Sequence, residues 1–319
     1  MQQIYTFGNY LKSKYACKVY KVGINISGFT CPNIDGTVAR GGCTFCQNDS
    51  FSASTGEAQA LKGFHLNLDS KSNPNLHKQL EQLEMQFNAI SKRQVSEYGA
   101  NKFIVYFQSF TNTYAPFETL KALYDKALSF ENVIGLSIGT RSDSITDETL
   151  DYLAELNKDK EIWIEFGIQS VYDETLDKIN RGHNSDNVKE WILKSKEKGL
   201  YVCGHLIFGL PGENQEMMLE TSKQAYTWGI DSVKYHPLYV VKKTALANDF
   251  IQGKFTPISE DEYLDVLVKS IIMKPENISV QRVTAGIDDD SLLSPTWCRD
   301  KNMQIKNINK ALKPLGLKY

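Results

Sequence analysis

The sequence predicts an α/β fold built on a parallel sheet. Two observations carry that prediction. Six short runs rich in β-branched and aromatic residues alternate with amphipathic helical stretches over most of the chain. Each run is apolar, six to nine residues long and bounded by turn residues, as strands buried between two layers are. Successive βα units require right-handed crossovers. An open doubly wound sheet and a full or partial barrel both satisfy that requirement, and in either one chemistry collects at the C-terminal ends of the strands.

The strand-like runs are 19–27, 103–108, 133–140, 162–168, 201–208 and 232–237. Between them, Leu76, Leu80, Leu83, Phe87 and Ile90 share one helix face, as do Leu120, Leu123 and Ala127, and Leu150, Leu153 and Leu156. Ser185 is placed to cap a helix that stops at Gly199, where a left-handed residue suits the end. After Pro237 the pattern changes. Ser259 and Glu262 form a capping box that opens a helix to about residue 272. A strand at 278–283 and a lysine-bearing helix at 302–312 follow. Residues 1–245 therefore read as one sheet-based domain with a long loop at 28–50, and 246–319 as a C-terminal α/β extension packed on it. The polar stretch 50–74 reads as a surface loop or lid.

The composition, 41% hydrophobic and 23% charged over 319 residues, is that of a globular chain with a large core. The formal net charge of -2 excludes a molecule-wide trap for polyanions, so a nucleic acid must meet a local basic patch. No run approaches the roughly 20 apolar residues of a membrane span, and the first fifteen residues lack a signal-peptide pattern. A cytoplasmic protein that does not use a membrane is expected.

Six cysteines are too few for a secreted disulfide scaffold. Three lie within sixteen residues, in Cys31-Pro-Asn-Ile-Asp-Gly36 and Arg40-Gly-Gly-Cys43-Thr-Phe-Cys46, directly after the first strand. Glycines 36, 41 and 42 let this loop fold back so that Cys31 joins the Cys43-x-x-Cys46 pair. Three thiolates with no fourth nearby leave a metal centre with an open position. A zinc site completed by His65 or His77 is one alternative. A redox Cys-x-x-Cys pair is another, but it belongs to folds with far fewer βα units. Cys17, Cys203 and Cys298 read as small buried hydrophobes.

With that loop, Phe45 before the last cysteine and six βα units, the chain resembles the radical S-adenosylmethionine (SAM) superfamily over roughly residues 17–300. Within it the chain is most similar to the Elongator-catalytic-subunit-like group and its YtqA/YhcC-type Fe–S proteins. The eleven residues between Cys31 and Cys43 depart from the common Cys-x-x-x-Cys-x-x-Cys spacing and match the YtqA/YhcC type. The resemblance implies a partial (β/α)6 barrel and a [4Fe-4S] cluster on Cys31, Cys43 and Cys46. It also implies reductive cleavage of SAM to a 5'-deoxyadenosyl radical, and a one-electron donor such as flavodoxin or ferredoxin. The substrate implied is the side chain of a wobble uridine in tRNA. A small-molecule radical enzyme and a zinc-stapled RNA-binding module are the alternatives.

The resemblance also assigns the polar residues at the later strand ends. After the second strand, Ser109, Thr111 and Asn112 stand where many members carry Gly-Gly-Glu; a solvated turn is the plain alternative. Thr140, Arg141 and Asp143 follow the third, where an Arg141–Asp143 surface pair is the alternative. Glu165, Gln169 and Arg181 follow the fourth, with a Glu165–Arg181 salt bridge as the alternative. Ile207 and Gly209 lead into a Gly-Leu-Pro-Gly-Glu turn. Phe45, Ser109, Thr111, Thr140, Arg141, Glu165, Gln169, Arg181, Ile207 and Gly209 are the expected SAM contacts. Asn112, Asp143, His205, His236 and Lys242 are the expected substrate contacts, the histidines being alternatively core residues. Lys12, Lys14, Lys18 and Lys21, with Lys301, Lys306 and Lys310, are candidate phosphate contacts.

Overall fold

The computed structural model describes residues 1–47, 66, 68 and 72–319. Residue His65 and nearly all of the predicted 50–74 loop lie outside the described residues. Seven parallel strands form one sheet in chain order: β1 (Val19–Ile24), β2 (Lys102–Phe107), β3 (Val133–Thr140), β4 (Glu161–Gln169), β5 (Tyr201–Phe208), β6 (Ser232–Pro237) and β7 (Ser279–Arg282). The sheet curls into a half-barrel, so that Lys21 of β1 reaches across to Gln281 of β7 at 2.6 Å. Six strands stand where the sequence pattern puts them. The seventh comes from the stretch expected as an appended extension, and it pairs in parallel with β6.

The main helices are α1 (Phe7–Tyr15), α2 (Leu76–Tyr98), α3 (Phe117–Leu128), α4 (Asp147–Leu156), α5 (Ser185–Glu197), α6 (Gln215–Thr227), α7 (Glu260–Met273) and α8 (Lys301–Leu312). The capping box at Ser259 and Glu262 forms as expected. The cap of α5 is Asn184 rather than Ser185, because the Asn184 side chain accepts the Asn187 amide at 3.0 Å. Gly199 takes the left-handed conformation beyond its end.

The strands are not apolar on both faces, as the sequence suggested. On β4, Ile162, Ile164, Phe166 and Ile168 belong to the core under the helices, while Glu165 and Gln169 line the barrel interior. Burying each large apolar side chain of the outer face stabilises the fold by about 1.5–3 kcal/mol. The inner face instead carries Lys21, Tyr106, Ser137, Glu165, His205 and Lys234, with Tyr106 opposite Ser137 and His205 opposite Lys234 on adjacent strands.

Helix α1 closes the bottom of the barrel. Phe7 and Leu11 pack on Ile104, Trp163 and Cys203, and the Phe7 ring meets the Trp163 ring edge-on at 5.0 Å. Glu161, at the start of β4, accepts from Tyr10 at 2.5 Å, Lys14 at 2.5 Å, Tyr15 at 2.7 Å and Trp163 at 3.0 Å. Lys14 and Lys21 are thus committed to internal carboxylates and do not form the phosphate-binding patch expected of them. The outer edge of β7 is covered by the N-terminal segment, where the Val280 amide donates to the Tyr5 carbonyl at 2.9 Å. Among the described residues, no helix is long and apolar enough to cross a membrane.

Candidate active site

The cysteine loop leaves β1 at the C-terminal, open end of the barrel. Cys31 precedes a single helical turn (Pro32–Asp35) started by proline, whose fixed φ suits that position. The backbone then turns left-handed at Gly36, Gly41 and Gly42, at φ of 96°, 86° and 78°, which only glycine adopts at no steric cost. The loop is fastened to the segment after β4. The Thr44 amide donates to the Ile179 carbonyl at 2.9 Å, and the Asn180 side chain donates to the Gly42 carbonyl at 2.8 Å. In return the Asn33 amide donates to the Asn180 carbonyl.

All three cysteines are free thiols and line one cleft at the barrel mouth. Asn33 Nδ2 and Arg181 Nη1 approach Cys43 Sγ at 3.6 and 3.7 Å, as donors to a sulfur acceptor. Burial, then the neighbouring Cys43 and Cys31, push the Cys46 thiol up to about 12. A thiol whose ionisation is opposed by burial and by its two sulfur neighbours suits a shared cation, since metal ligation deprotonates a thiol outright. The donor set, the free thiols and the room in the cleft fit an iron–sulfur cluster. His77, the described partner for a zinc alternative, is exposed on α2 and does not line the cleft.

Below the cysteines lies a charged layer. Glu165 accepts from Lys21 and Ser137 through Oε1, both at 2.5 Å, and from His205 at 2.7 Å and Lys234 through Oε2. Four donors occupy its four lone-pair sites, so the carboxylate expected to contact SAM is already saturated. Burial alone would raise its pKa, but Lys21 and Lys234 hold it well below the usual carboxylate range. Burial brings Lys21 down to about 8 against the pull of Glu165. Burial and then Lys234 bring His205 down to about 4, leaving it neutral at physiological pH. Glu165, Cys203 and His205 also gather their ligand atoms within 4.8 Å of one another. Two lysines already satisfy that carboxylate, and their charge opposes a metal ion there.

The expected residues divide by position. Thr111, Thr140, Arg141, Glu165, Gln169, Arg181 and His205 line the cysteine cleft. Phe45, Ile207 and His236 line the adjoining cleft, which shares Cys43, Cys46, Gln169, Arg181 and His205 with the first. Gln169 sits at φ 67°, a costly conformation for a residue with a side chain, and its buried Oε1 has no partner. Arg141 is paired with Asp143 through Nε at 2.8 Å and Nη2 at 2.6 Å; the pair is buried rather than superficial, and Nη1 is left without a partner. Arg181 donates to the Gly167 carbonyl at 3.0 Å and does not pair with Glu165. Gly167 permits this approach, because an added Cβ would meet Arg181 Nη2 at 2.7 Å.

Other expected residues lie apart from the clefts or are engaged. The Asn112 amide is spent on the Phe107 and Gly139 carbonyls at 3.1 and 2.9 Å. Ser109 is buried with an unpartnered hydroxyl. Gly209 lines a separate cleft with Pro211, Glu213 and Ile258. Lys242 is exposed and lines neither mouth cleft. Conversely, Tyr106, Gln108 and Phe110 line both mouth clefts, and Arg282 lines the second. The available signal was alternation: Tyr106 and Gln108, like Lys234 and His236, are polar residues two apart in otherwise apolar strands.

Two family models together span most of the chain: the radical SAM superfamily matches residues 34–225 and the radical SAM C-terminal domain residues 230–314. The chain is 34% identical to YtqA of Bacillus subtilis, over 99% of this chain and 91% of YtqA. It is 29% identical to the tRNA uridine(34) acetyltransferase of Methanocaldococcus infernus, over 48% of this chain but only 29% of that protein. Among solved structures, Elp3 of Methanocaldococcus infernus superposes with a TM-score of 0.63 at 18% identity, covering 94% of this chain and 64% of that one. The chain belongs to the radical SAM superfamily, whose enzymes work with a [4Fe-4S] cluster and S-adenosylmethionine.

Proposed function

We propose that Cys31, Cys43 and Cys46 hold the [4Fe-4S] cluster of a radical SAM enzyme that modifies the side chain of a wobble uridine in tRNA. The single observation that carries the cluster assignment is the convergence of three free thiols on one cleft, with Arg181 and Asn33 donating to Cys43. The relative named as a tRNA uridine(34) acetyltransferase supports the substrate class.

With one electron from a reduced carrier such as flavodoxin or ferredoxin, the bound cluster supplies reductive cleavage of SAM to a 5'-deoxyadenosyl radical. The chain's own residues bind and orient around that event. Gln169 and the free Nη1 of Arg141 offer an acceptor and a donor to the amino and carboxylate groups of the methionine moiety. Phe45 and Ile207 give the adjoining cleft an apolar wall suited to an adenine ring. Arg181 stays beside Cys43, where its guanidinium donates to the sulfur. Glu165 acts as a positioning residue: it fixes His205 and Lys234 below the mouth rather than touching the nucleoside. The lumen beneath would orient the target carbon, for which a near-attack separation of about 3–3.5 Å between reacting atoms is needed.

Anaerobic reconstitution tests the cluster: about four irons per chain and deoxyadenosine formation with dithionite are expected. One zinc and no deoxyadenosine would refute it. Nucleoside analysis of tRNA from cells with and without the gene tests the substrate. Loss of a modified wobble uridine is expected, and an unchanged profile refutes the tRNA assignment.

A further inference from the structure

Arg282 is the last residue of β7. It is half-buried and lines the second cleft with Cys43, Cys46, His205 and His236. Among the described residues its guanidinium has no hydrogen-bond acceptor and no carboxylate partner. Arginines at buried walls are ordinarily paired, because desolvating the charge without compensation is costly.

Its neighbours deepen the imbalance. Among the described residues, the only carboxylate lining either mouth cleft is Glu165, already saturated by Lys21 and Lys234. Arg141 has Asp143, and Arg181 has the Gly167 carbonyl and Cys43. Arg282 therefore remains as uncompensated positive charge. It is close enough that, after burial, it is the largest influence keeping His236 unprotonated, and it also bears on Lys234 and His205. The His236 ring lies 5.5 Å from that of His205, and its Nε2 is buried without a partner. A cation and an unsatisfied imidazole nitrogen facing one cleft make half of an anion site.

We infer that Arg282 and His236 form a subsite for an oxyanion of the substrate, either a phosphate or a carboxylate, which anchors the substrate in the lumen beside the cysteines. The inference rests on the proposed radical chemistry only in calling the bound molecule a substrate; the oxyanion site stands on its own geometry. An arginine fork binds two oxygens of such a group, and His236 meets a third contact or the same oxygen from the barrel wall.

Calorimetric titration of the reconstituted protein with inorganic phosphate, and separately with acetate, tests it. One of the two is expected to bind with an affinity that falls as salt rises, and the tighter names phosphate or carboxylate as the source. Arg282→Gln is expected to weaken that binding about tenfold or more. Arg282→Lys, which keeps the charge but not the fork, is expected to retain part of it, and His236→Gln to lose less than Arg282→Gln. Thermal melting of each variant separates lost binding from lost folding. Binding of neither anion, or equal binding by wild type and a folded Arg282→Gln, overturns the inference. Deoxyadenosine formation by the same wild-type preparation reports on the radical reading separately. A preparation that forms deoxyadenosine but binds oxyanions without regard to residue 282 sinks only the subsite.

Discussion

On β4, Ile164 points out into the helix-covered core, and Glu165, the next residue, points into the lumen among two lysines, a histidine and a serine. The two are equally withdrawn from water, at 0% and 1% exposure. What separates the outer face of the sheet from the inner is what each side chain finds when it gets there. The outer face needs only shape and volume, which many apolar residues supply. The inner face works only as a set, since a buried charge stripped of its partner costs more than the pair contributes. One face carries stability and the other carries chemistry at some cost to stability.

Substitutions on the two faces, and at the mouth above them, break or sharpen this contrast. The largest effect is expected at the mouth: Cys43→Ala should cut deoxyadenosine formation about 100-fold or more and lower iron content, while unfolding free energy moves by less than about 1 kcal/mol. A denaturant melt that shifts as much as the activity would make the loop part of the core. Next, Glu165→Ala should destabilise the fold by about 3–5 kcal/mol at neutral pH, because Lys21 and Lys234 are left facing each other unpaired. The carboxyl is held below its ordinary value of 4.5, so its contribution is present above that pH and is lost as pH falls through the lower folded value. Urea melts at neutral and acid pH check both magnitude and sign.

On the outer face, Ile164→Ala should cost about 2–4 kcal/mol by leaving a cavity, with deoxyadenosine formed per folded molecule nearly unchanged. A matching fall in turnover would show that the faces are not independent. The smallest effect concerns a second carboxyl, Glu213, which makes no salt bridge among the described residues. Burial raises it from 4.5 to about 7, against the Ser170 and Thr175 hydrogen bonds. The wild type should therefore lose stability as pH rises from about 4.5 to about 7. Glu213→Gln should flatten that slope, matching the wild type near pH 4.5 and exceeding it by about 1–2 kcal/mol near pH 8. Parallel slopes would mean that Glu213 ionises freely.

The outer face was the legible one. Runs such as Val133–Thr140 and Tyr201–Phe208 announce themselves because burial under helices is satisfied residue by residue, by apolar character alone. The cysteine loop was legible too, since glycines and cysteines at close spacing have few other uses. The inner layer was not. Glu165 stood out as an acid in an apolar strand, but its partners Lys21 and Lys234 lie more than sixty residues away on either side. Only the curl of the half-barrel brings them together. Arg141 and Asp143, two residues apart, offer a pair in sequence only as a surface alternative to an active-site wall, and the burial of that pair depends on elements that local sequence does not report. The seventh strand reads in sequence as part of the extension because its signal at 278–283 stands apart from the βα rhythm, after a helix that follows no earlier strand directly.

The pairing of Val280 with the segment at Tyr5 and Thr6 has a consequence for biosynthesis. The stopper beneath the barrel is made some 270 residues before the strand that clasps it, as the separation of these positions shows. Until then the nascent chain has a floor with one side unhinged and an unpaired strand edge. Such long-range closure is slow and open to misassembly. Quality-control factors should therefore find this protein most vulnerable in the interval before its last strand emerges.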